Sequence, residues 1–315
     1  MGGYERGVSN RKKGGSHLQQ TKELRFQFIE AHSSEFSVEK MCRVLEVSRS
    51  GYYKWKSAKP SQQELRKARI MERIRFHFYD NKKRYGSPKI TKLLHQENCE
   101  ITERTVSNYM NEMGLRSCVA RKFKVRTTDS NHDFPIAPNV LDQKFKVNEP
   151  NKVWVADITY IRCTERRLYL ASIMDLCTRE IVGWRLGERM TTELVLGALD
   201  DAYAAKKPKR KVLHHSDRGS QYASDEYRKR LKTLRMKASM SRKGNCYDNA
   251  CIESFHSILK KELIYCTKFK TQQQAYEEIF EYIEFFYNRK RIHGALGYMS
   301  PVRFAAQLQK KKKSA

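Results

Sequence analysis

KVLHHSDRGSQYAS (211–224) and SRKGNCYDNACIESFHSILKKEL (241–263) decide the fold, because with the residues between them they read strand, helix, strand, loop, helix. Val212-Leu213 is a short apolar run suited to a buried strand. Asp217 lies just past its end, followed by Gly219, a turn residue. Ser224 and Asp225 are helix N-cap types, and Tyr227, Leu231 and Leu234 then recur at helical spacing. Glu253 sits early in a second helix whose Ile252, Phe255, Leu259 and Leu263 keep the same three-four pattern. Thirty-five residues separate Asp217 from Glu253, and upstream Asp157 ends another apolar run, Val153-Trp154-Val155-Ala156. Two carboxylates at strand ends and one on a helix are the ligands needed to hold divalent metal for phosphoryl transfer.

The 315 residues suffice for two or three domains with at least one sizeable core. Net charge is +28, and the excess is spread along the chain: residues 1–150 carry 30 basic and 17 acidic side chains, and 151–315 carry 33 and 18. Such a field favours a polyanion, of which nucleic acid is the commonest. The bland alternative is a ribosome-associated or solubilising surface. No eighteen-residue apolar run and no signal-peptide core is present, so the reading is a cytoplasmic, nucleoid-associated protein with no membrane segment. Eight cysteines without a Cys-x-x-Cys pair suggest free thiols in a reducing compartment.

Residues 1–22 are rich in Gly, Ser, Lys and Arg and read as a disordered basic N-terminus. Residues 23–57 form a helix-turn-helix segment. A helix from Leu24 to His32 is followed by a short one capped by Ser37 and a second capped by Ser48, with a tight turn at Glu46-Val47. On that last helix Ser48, Arg49 and Tyr52 are candidate DNA contacts, against an ordinary helical hairpin. Residues 64–117 make a second helical unit, a long basic helix and then a helix-turn-helix pattern. Ser87-Pro88 opens one helix, Thr102 caps the next, and Gly114 stops it. Its outward-facing Arg104 and Asn108 suit phosphates and base edges. Residues 118–151 have little periodicity and three prolines, and read as an extended linker. A catalytic core over 152–305 begins with three strands, in WVADITYIR and RLYLASIMDLCTREIVGWRL. Helix, strand, helix, strand and helix follow, and a basic tail closes the chain over 306–315. That order is ribonuclease-H-like: an α/β core with a mixed five-stranded sheet and flanking helices, preceded by all-α helix-turn-helix segments.

In-line cleavage of a phosphodiester needs an activated hydroxyl nucleophile and a stabilised leaving oxygen, and two divalent ions about 3.5–4 Å apart serve both. Magnesium prefers oxygen ligands and keeps several waters, so a few carboxylates and a substrate phosphate suffice. Manganese accepts the same oxygens. Taken singly, Asp157 reads as a strand-end cap, Asp217 as an Asx-turn residue and Glu253 as an exposed helical acid. Their shared context favours the metal site.

HSDRGSQY (215–222), SRKGNCYDNACIESFHSILKKEL (241–263) and YNRKRIHGALGYMSP (287–301) closely resemble bacterial insertion-sequence transposases, which carry an Asp-Asp-Glu triad on a fold similar to retroviral integrase. WVADITYI (154–161) resembles that family's first-Asp strand, and SVEKMCRVLEVSRSGYY and RYGSPKIT resemble its N-terminal half, so the likeness spans roughly 25–305. The resemblance implies Asp157, Asp217 and Glu253 as catalytic, metal-binding residues with two Mg2+ ions, Mn2+ being an alternative. It also implies a DNA transposase that nicks its element's ends and transfers the 3′ hydroxyl to DNA, a homo-oligomer assembled on terminal repeats and target, and a downstream-frame product with an upstream-frame partner or fusion. Lys260, two turns beyond Glu253, matches a basic DNA contact of such enzymes; the alternative is an intrahelical ion pair. His256, one turn from Glu253, orients the carboxylate, touches phosphate or simply packs. Asn245 falls in the loop before the catalytic helix, with turn chemistry as its alternative. Arg291 and His293 are DNA contacts or a structural lock. Two other functions remain open at this point: a catalytically silent DNA-binding regulator, and a ribonuclease-H-type nuclease without strand transfer.

Overall fold

The computed structural model describes residues 21–120 and 134–313. The expected disordered segment 1–22 therefore lies almost wholly outside the described residues, as does the middle of the expected linker. The chain divides into two compact units, Met1–Glu72 and Arg73–Ala315.

In the first unit, helices α1 (Lys22–Ala31), α2 (Val38–Val44) and α3 (Arg49–Lys56) enclose a small core of Ile29, Met41, Cys42, Leu45 and Tyr52. Glu46 adopts a left-handed φ of 52°, which tightens the α2–α3 turn, and Ser48 caps α3 by accepting from Gly51 N at 3.0 Å. Ser37 stands at the α2 N-cap position with no side-chain cap bond. The division between units falls within the long helix α4 (Gln62–Asp80).

In the second unit, α5 (Ser87–Gln96) and α6 (Glu103–Glu112) form the second helix-turn-helix pattern, packed through Ile90, Leu94, Val106 and Met110. Pro88 occupies the first turn of α5, Thr102 Oγ1 caps α6 through Thr105 N at 3.2 Å, and Gly114 turns left-handed just after it, as expected.

The sheet comprises β1 (Val153–Arg162), β2 (Arg167–Asp175), β3 (Ile181–Gly187), β4 (Leu213–Ser216) and β5 (Lys237–Met240), in the order β3-β2-β1-β4-β5. β1, β2 and β3 pair antiparallel, and β4 and β5 run parallel to β1. Helix α7 (Thr192–Lys206) crosses between β3 and β4, followed by a single turn α8 (Ser220–Ala223) and by α9 (Asp225–Thr233) between β4 and β5. This is the ribonuclease-H-like arrangement read from the sequence. The main core lies under α7 and α9, with Trp154, Ile173, Leu199 and Tyr227 buried in it. Gly183 is needed there: a Cβ on it would stand 2.3 Å from Ala198 O, so a side chain would push α7 off the sheet.

Helix α10 (Ala250–Leu259) continues into a π-helical stretch, Lys260–Ile264, and α11 (Gln272–Phe280) likewise into Glu281–Tyr287. Between these π segments Arg291 forks onto Glu262, Nε to Oε2 at 3.0 Å and NH2 to Oε1 at 2.9 Å, while Tyr282 OH donates to Glu262 at 2.8 Å. The helical segment after α4 joins this cluster. Arg84 Nε donates to Glu262 O at 3.2 Å, Lys89 Nζ stands 3.8 Å from Glu262, and Tyr85 OH accepts from Ile292 N at 3.0 Å.

Two expectations of organisation change. Within the 118–151 linker the residues near 140 dock on β5: Val140 N and Leu141 N donate to Ser239 Oγ, and Leu141 is buried. The 306–315 tail is the end of helix α12 (Pro301–Lys313), because nothing after Pro301 breaks it; its last two residues lie outside the described residues.

Glu262 and Arg291 are both almost fully buried, so removing one partner strands the other. Arg291→Ala is expected to cost about 3 kcal/mol of unfolding free energy in urea denaturation, and Glu262→Gln/Arg291→Met to recover much of that loss. A loss below about 0.5 kcal/mol would mean that the pair does not lock this region.

Candidate active site

β1 is the central strand, and its parallel ladder with β4 ends at the pair Ala156↔Ser216. Asp157 and Asp217 are the residues that directly follow this last pair on the two strands. There β4 ends and the chain turns away: Asp217 Oδ1 accepts from Gly219 N at 2.9 Å, an Asx turn that aims the chain into α8. The bland reading of Asp217 is thus also true, and it positions the carboxylate. Across the antiparallel ladder Asp157 faces Ser172.

Helix α10 brings Glu253 within electrostatic reach of Asp157. Asn249, just before it, donates from Nδ2 to Ala156 O at 3.1 Å, which ties the helix start to β1. Asp248 fixes the preceding loop. Its fully buried carboxylate accepts from Arg242 N at 2.8 Å and Arg242 NH2 at 2.7 Å, and from Asn139 Nδ2 at 3.0 Å and Gln143 Nε2 at 2.8 Å. These bonds, the Arg242 side chain foremost, hold the Asp248 pKa well below the usual carboxylate range.

Glu253 is exposed as a residue, so desolvation of its carboxyl is partial. That desolvation first and the Asp157 charge second push its pKa up to about 7. Burial raises the Tyr222 hydroxyl, with smaller contributions from Tyr227, Asp157 and Asp217, which puts both aspartates within electrostatic reach of one side chain.

Among the described residues no three His, Cys, Asp or Glu side chains are gathered as a ready-made metal site. The donor chemistry nevertheless fits a divalent cation. All three acids offer oxygen, Glu253 ionises against the charge of Asp157, and a cation would relieve that repulsion. Asn249 Oδ1 adds a buried acceptor with no hydrogen-bond partner.

The remaining candidates divide. Lys260 Nζ lies 4.2 Å over the Tyr160 ring, in a small cleft lined also by Arg162, Ile264 and Tyr265. Burial lowers its pKa, opposed by Asp157. Arg104 and Asn108 are exposed on α6, and Arg49 on α3. The other candidates are engaged within the protein: Tyr52 and Arg291 are buried, Asn245 and His293 are half-buried, and Ser48 is exposed. Tyr52 is buried and bonded to Glu30, and Ser48 is spent on its cap. Asn245 Oδ1 accepts from Tyr247 N at 3.0 Å, as turn chemistry requires. Arg291 is committed to Glu262, and His293 packs edge-on against Tyr287 with centroids 4.9 Å apart. His256 is buried, with Nδ1 3.2 Å from Asp157 Oδ2 and Nε2 2.6 Å from Ser172 Oγ. It reaches Asp157, not its helix neighbour Glu253. His215 belongs to the core, bonded to Ser239 and Ser241. Sequence reading missed Ser172 and Tyr160; the one available signal was a serine inside the apolar run of β2.

An integrase core domain model matches residues 147–246, a second matches 253–308, and an HTH-like domain model matches 64–123. Transposase InsF for insertion sequence IS3A of Escherichia coli (strain K12) is 40% identical over 291 residues, 89% of this chain and 98% of that one. An insertion element IS600 31 kDa protein of Shigella sonnei is 44% identical over 264 residues, 84% of this chain and 97% of that one. This chain belongs to the insertion-sequence transposases with an integrase core. It is a DNA transposase, a polynucleotidyl transferase of DNA integration, and its helix-turn-helix-like domain is a DNA-binding element. Among solved structures, the simian T-cell lymphotropic virus intasome in complex with PP2A regulatory subunit B56 gamma is similar at 16% identity and a TM-score of 0.44, covering 74% of this chain and 73% of that one. Nothing further rests on so distant a likeness. No described helix of the transposase is long and apolar enough to cross a membrane.

The raised pKa of Glu253 has a signed consequence for stability. The folded state keeps the proton to about pH 7, whereas the unfolded chain releases it near 4.5. Stability conferred by the protonated form is therefore lost as pH rises from 4.5 through 7. In metal-free buffer Glu253→Gln is expected to match wild type near pH 4 and to exceed it above pH 7.5 by about 1 kcal/mol, reduced from the full linkage value by solvent screening. Thermal melts across pH check this; parallel curves would contradict it.

Proposed function

We propose that Asp157, Asp217 and Glu253 are the catalytic triad of this transposase and hold two magnesium ions, with manganese able to replace them. The observation that supports the reading is that Asp157 and Asp217 directly follow the last β1–β4 pair and that Glu253 on α10 lies within electrostatic reach of Asp157. Magnesium bound there would supply positive charge to the attacking and leaving oxygens of an in-line displacement. The chain's own residues do the rest. The middle of β1 holds Asp157 and the turn after β4 holds Asp217, and the Asp248 cage and the Asn249 bond hold the helix that carries the third acid. Lys260, on the π-helical continuation of that helix, brings a cation within electrostatic reach of Asp157 for a DNA phosphate, with Tyr160 beneath it.

The substrates are the element's terminal repeats and a target duplex. Water first opens the phosphodiester at the element end and leaves a 3′ hydroxyl. That hydroxyl then displaces an alcohol from a target phosphodiester, one ester bond being exchanged for another. Arg104 and Asn108 on α6 and Ser48 and Arg49 on α3 are exposed and suited to read or grip the ends. Because both ends must be held together, the working form is an oligomer of this chain on DNA.

Asp217→Asn removes a charge but keeps the shape and the acceptor for Gly219 N. In magnesium the variant is expected to lose at least about a thousandfold in nicking of end-containing DNA, while gel-shift affinity for that DNA stays within about threefold of wild type. Comparable nicking by the variant would sink the triad assignment.

A further inference from the structure

His256 and Ser172 are used for something other than packing. β1 and β2 set Asp157 opposite Ser172, so their side chains share one face of the sheet at neighbouring positions. The ring of His256, one turn beyond Glu253, enters between them. Its Nδ1 lies 3.2 Å from Asp157 Oδ2 and its Nε2 lies 2.6 Å from Ser172 Oγ. His256 is 5% exposed and Ser172 0%, so neither group has ready access to water as an alternative partner.

The hydrogen pattern follows from chemistry. An ionised carboxylate only accepts, so Nδ1 carries the hydrogen. In the neutral ring Nε2 is then the acceptor, and the Ser172 hydroxyl donates into it. Asp157 thereby sets the ring's tautomer, and Ser172 holds its rotation. The other oxygen of Asp157, Oδ1, accepts from Ile158 N at 2.9 Å. Both oxygens are thus held from the protein side, and each keeps a lone-pair direction for an ion.

We propose that His256, backed by Ser172, is a positioning residue that sets the orientation of the Asp157 carboxylate for metal binding and couples it to the helix carrying Glu253. A bond from helix to strand at this point makes two of the three acids a single rigid unit. The inference rests on the reading of Asp157 as a metal ligand, and the experiment separates the two.

The two ring nitrogens can be tested individually. Asparagine places an amide donor where Nδ1 stands, and glutamine places one where Nε2 stands. Binding of Mn2+ to the full-length protein, read by electron paramagnetic resonance, is compared for wild type, His256→Asn, His256→Gln, Ser172→Ala and Asp157→Asn. Melting temperatures are taken in parallel. The expected result is that Asp157→Asn abolishes the tight site, His256→Gln weakens it about 10–100-fold, Ser172→Ala weakens it less, and His256→Asn retains most of the affinity. A merely structural histidine would make affinity follow melting temperature and would not favour asparagine over glutamine. Wild-type affinity in His256→Gln, with binding lost in Asp157→Asn, overturns the positioning role and leaves the ligand reading intact. Unchanged binding in Asp157→Asn, or no tight site in wild type, overturns both.

Discussion

The structure depends on where the parallel pairing of β1 with β4 stops. The ladder ends at Ala156↔Ser216, and the two residues after it are acids. A slip of one residue would turn one of them to the opposite face of the sheet. The register is held by what each strand buries: Trp154 and Ala156 from β1, and His214 from β4, whose ring nitrogen meets Tyr227 OH at 3.0 Å inside the core. The helices over the sheet thus do more than cover it. They fix the register in which Asp157 and Asp217 are the residues next after the last β1–β4 pair.

The third acid comes from a distance along the chain, and its placement needs separate fastenings. Asp248 collects donors from Arg242 and from Asn139 and Gln143, so the segment before β1 is stitched to the loop before α10. Asn249 and His256 then bond that helix to β1 at two points one residue apart, Ala156 and Asp157. On the continuation of the same helix Glu262 takes up Arg291, Tyr282 and Arg84. One helix with its π-helical extension therefore carries a candidate metal ligand, a cation within electrostatic reach of Asp157, and the buried acid to which the helix-turn-helix-like segment of the same unit is joined.

Much of this was legible in the residues. Period-two and period-three-four spacings located all five strands and the helices that separate them, because burial of one face is a property each segment carries alone. Caps such as Ser48 and Thr102 were readable for the same reason. Partnership across the chain was not. Arg291 lies in a run of basic residues that looks like a phosphate grip, and only Glu262, 29 positions away, reveals it as an internal lock. Tyr52 alternates with exposed neighbours and gives no sign that Glu30 receives its hydroxyl. Ser172 reads as filler in an apolar strand until the antiparallel register sets it against Asp157. Charge made the protein a nucleic-acid binder at first reading, but not which cations face outward. Several basic side chains, Arg84 and Lys89 among them, are spent inside the second unit.

The central claim is that these three acids form one centre that both cuts and joins DNA. The most direct measurement is a joining assay that bypasses cutting. Labelled element-end duplex already bearing a free 3′ hydroxyl is incubated with purified protein, magnesium and a supercoiled target plasmid, and the products are resolved on a denaturing gel. Covalent joining of the label to plasmid, lost with EDTA and lost in Asp157→Asn, is the expected result. Plasmid nicking without any joined product would contradict the account and leave a nuclease of the same fold in its place.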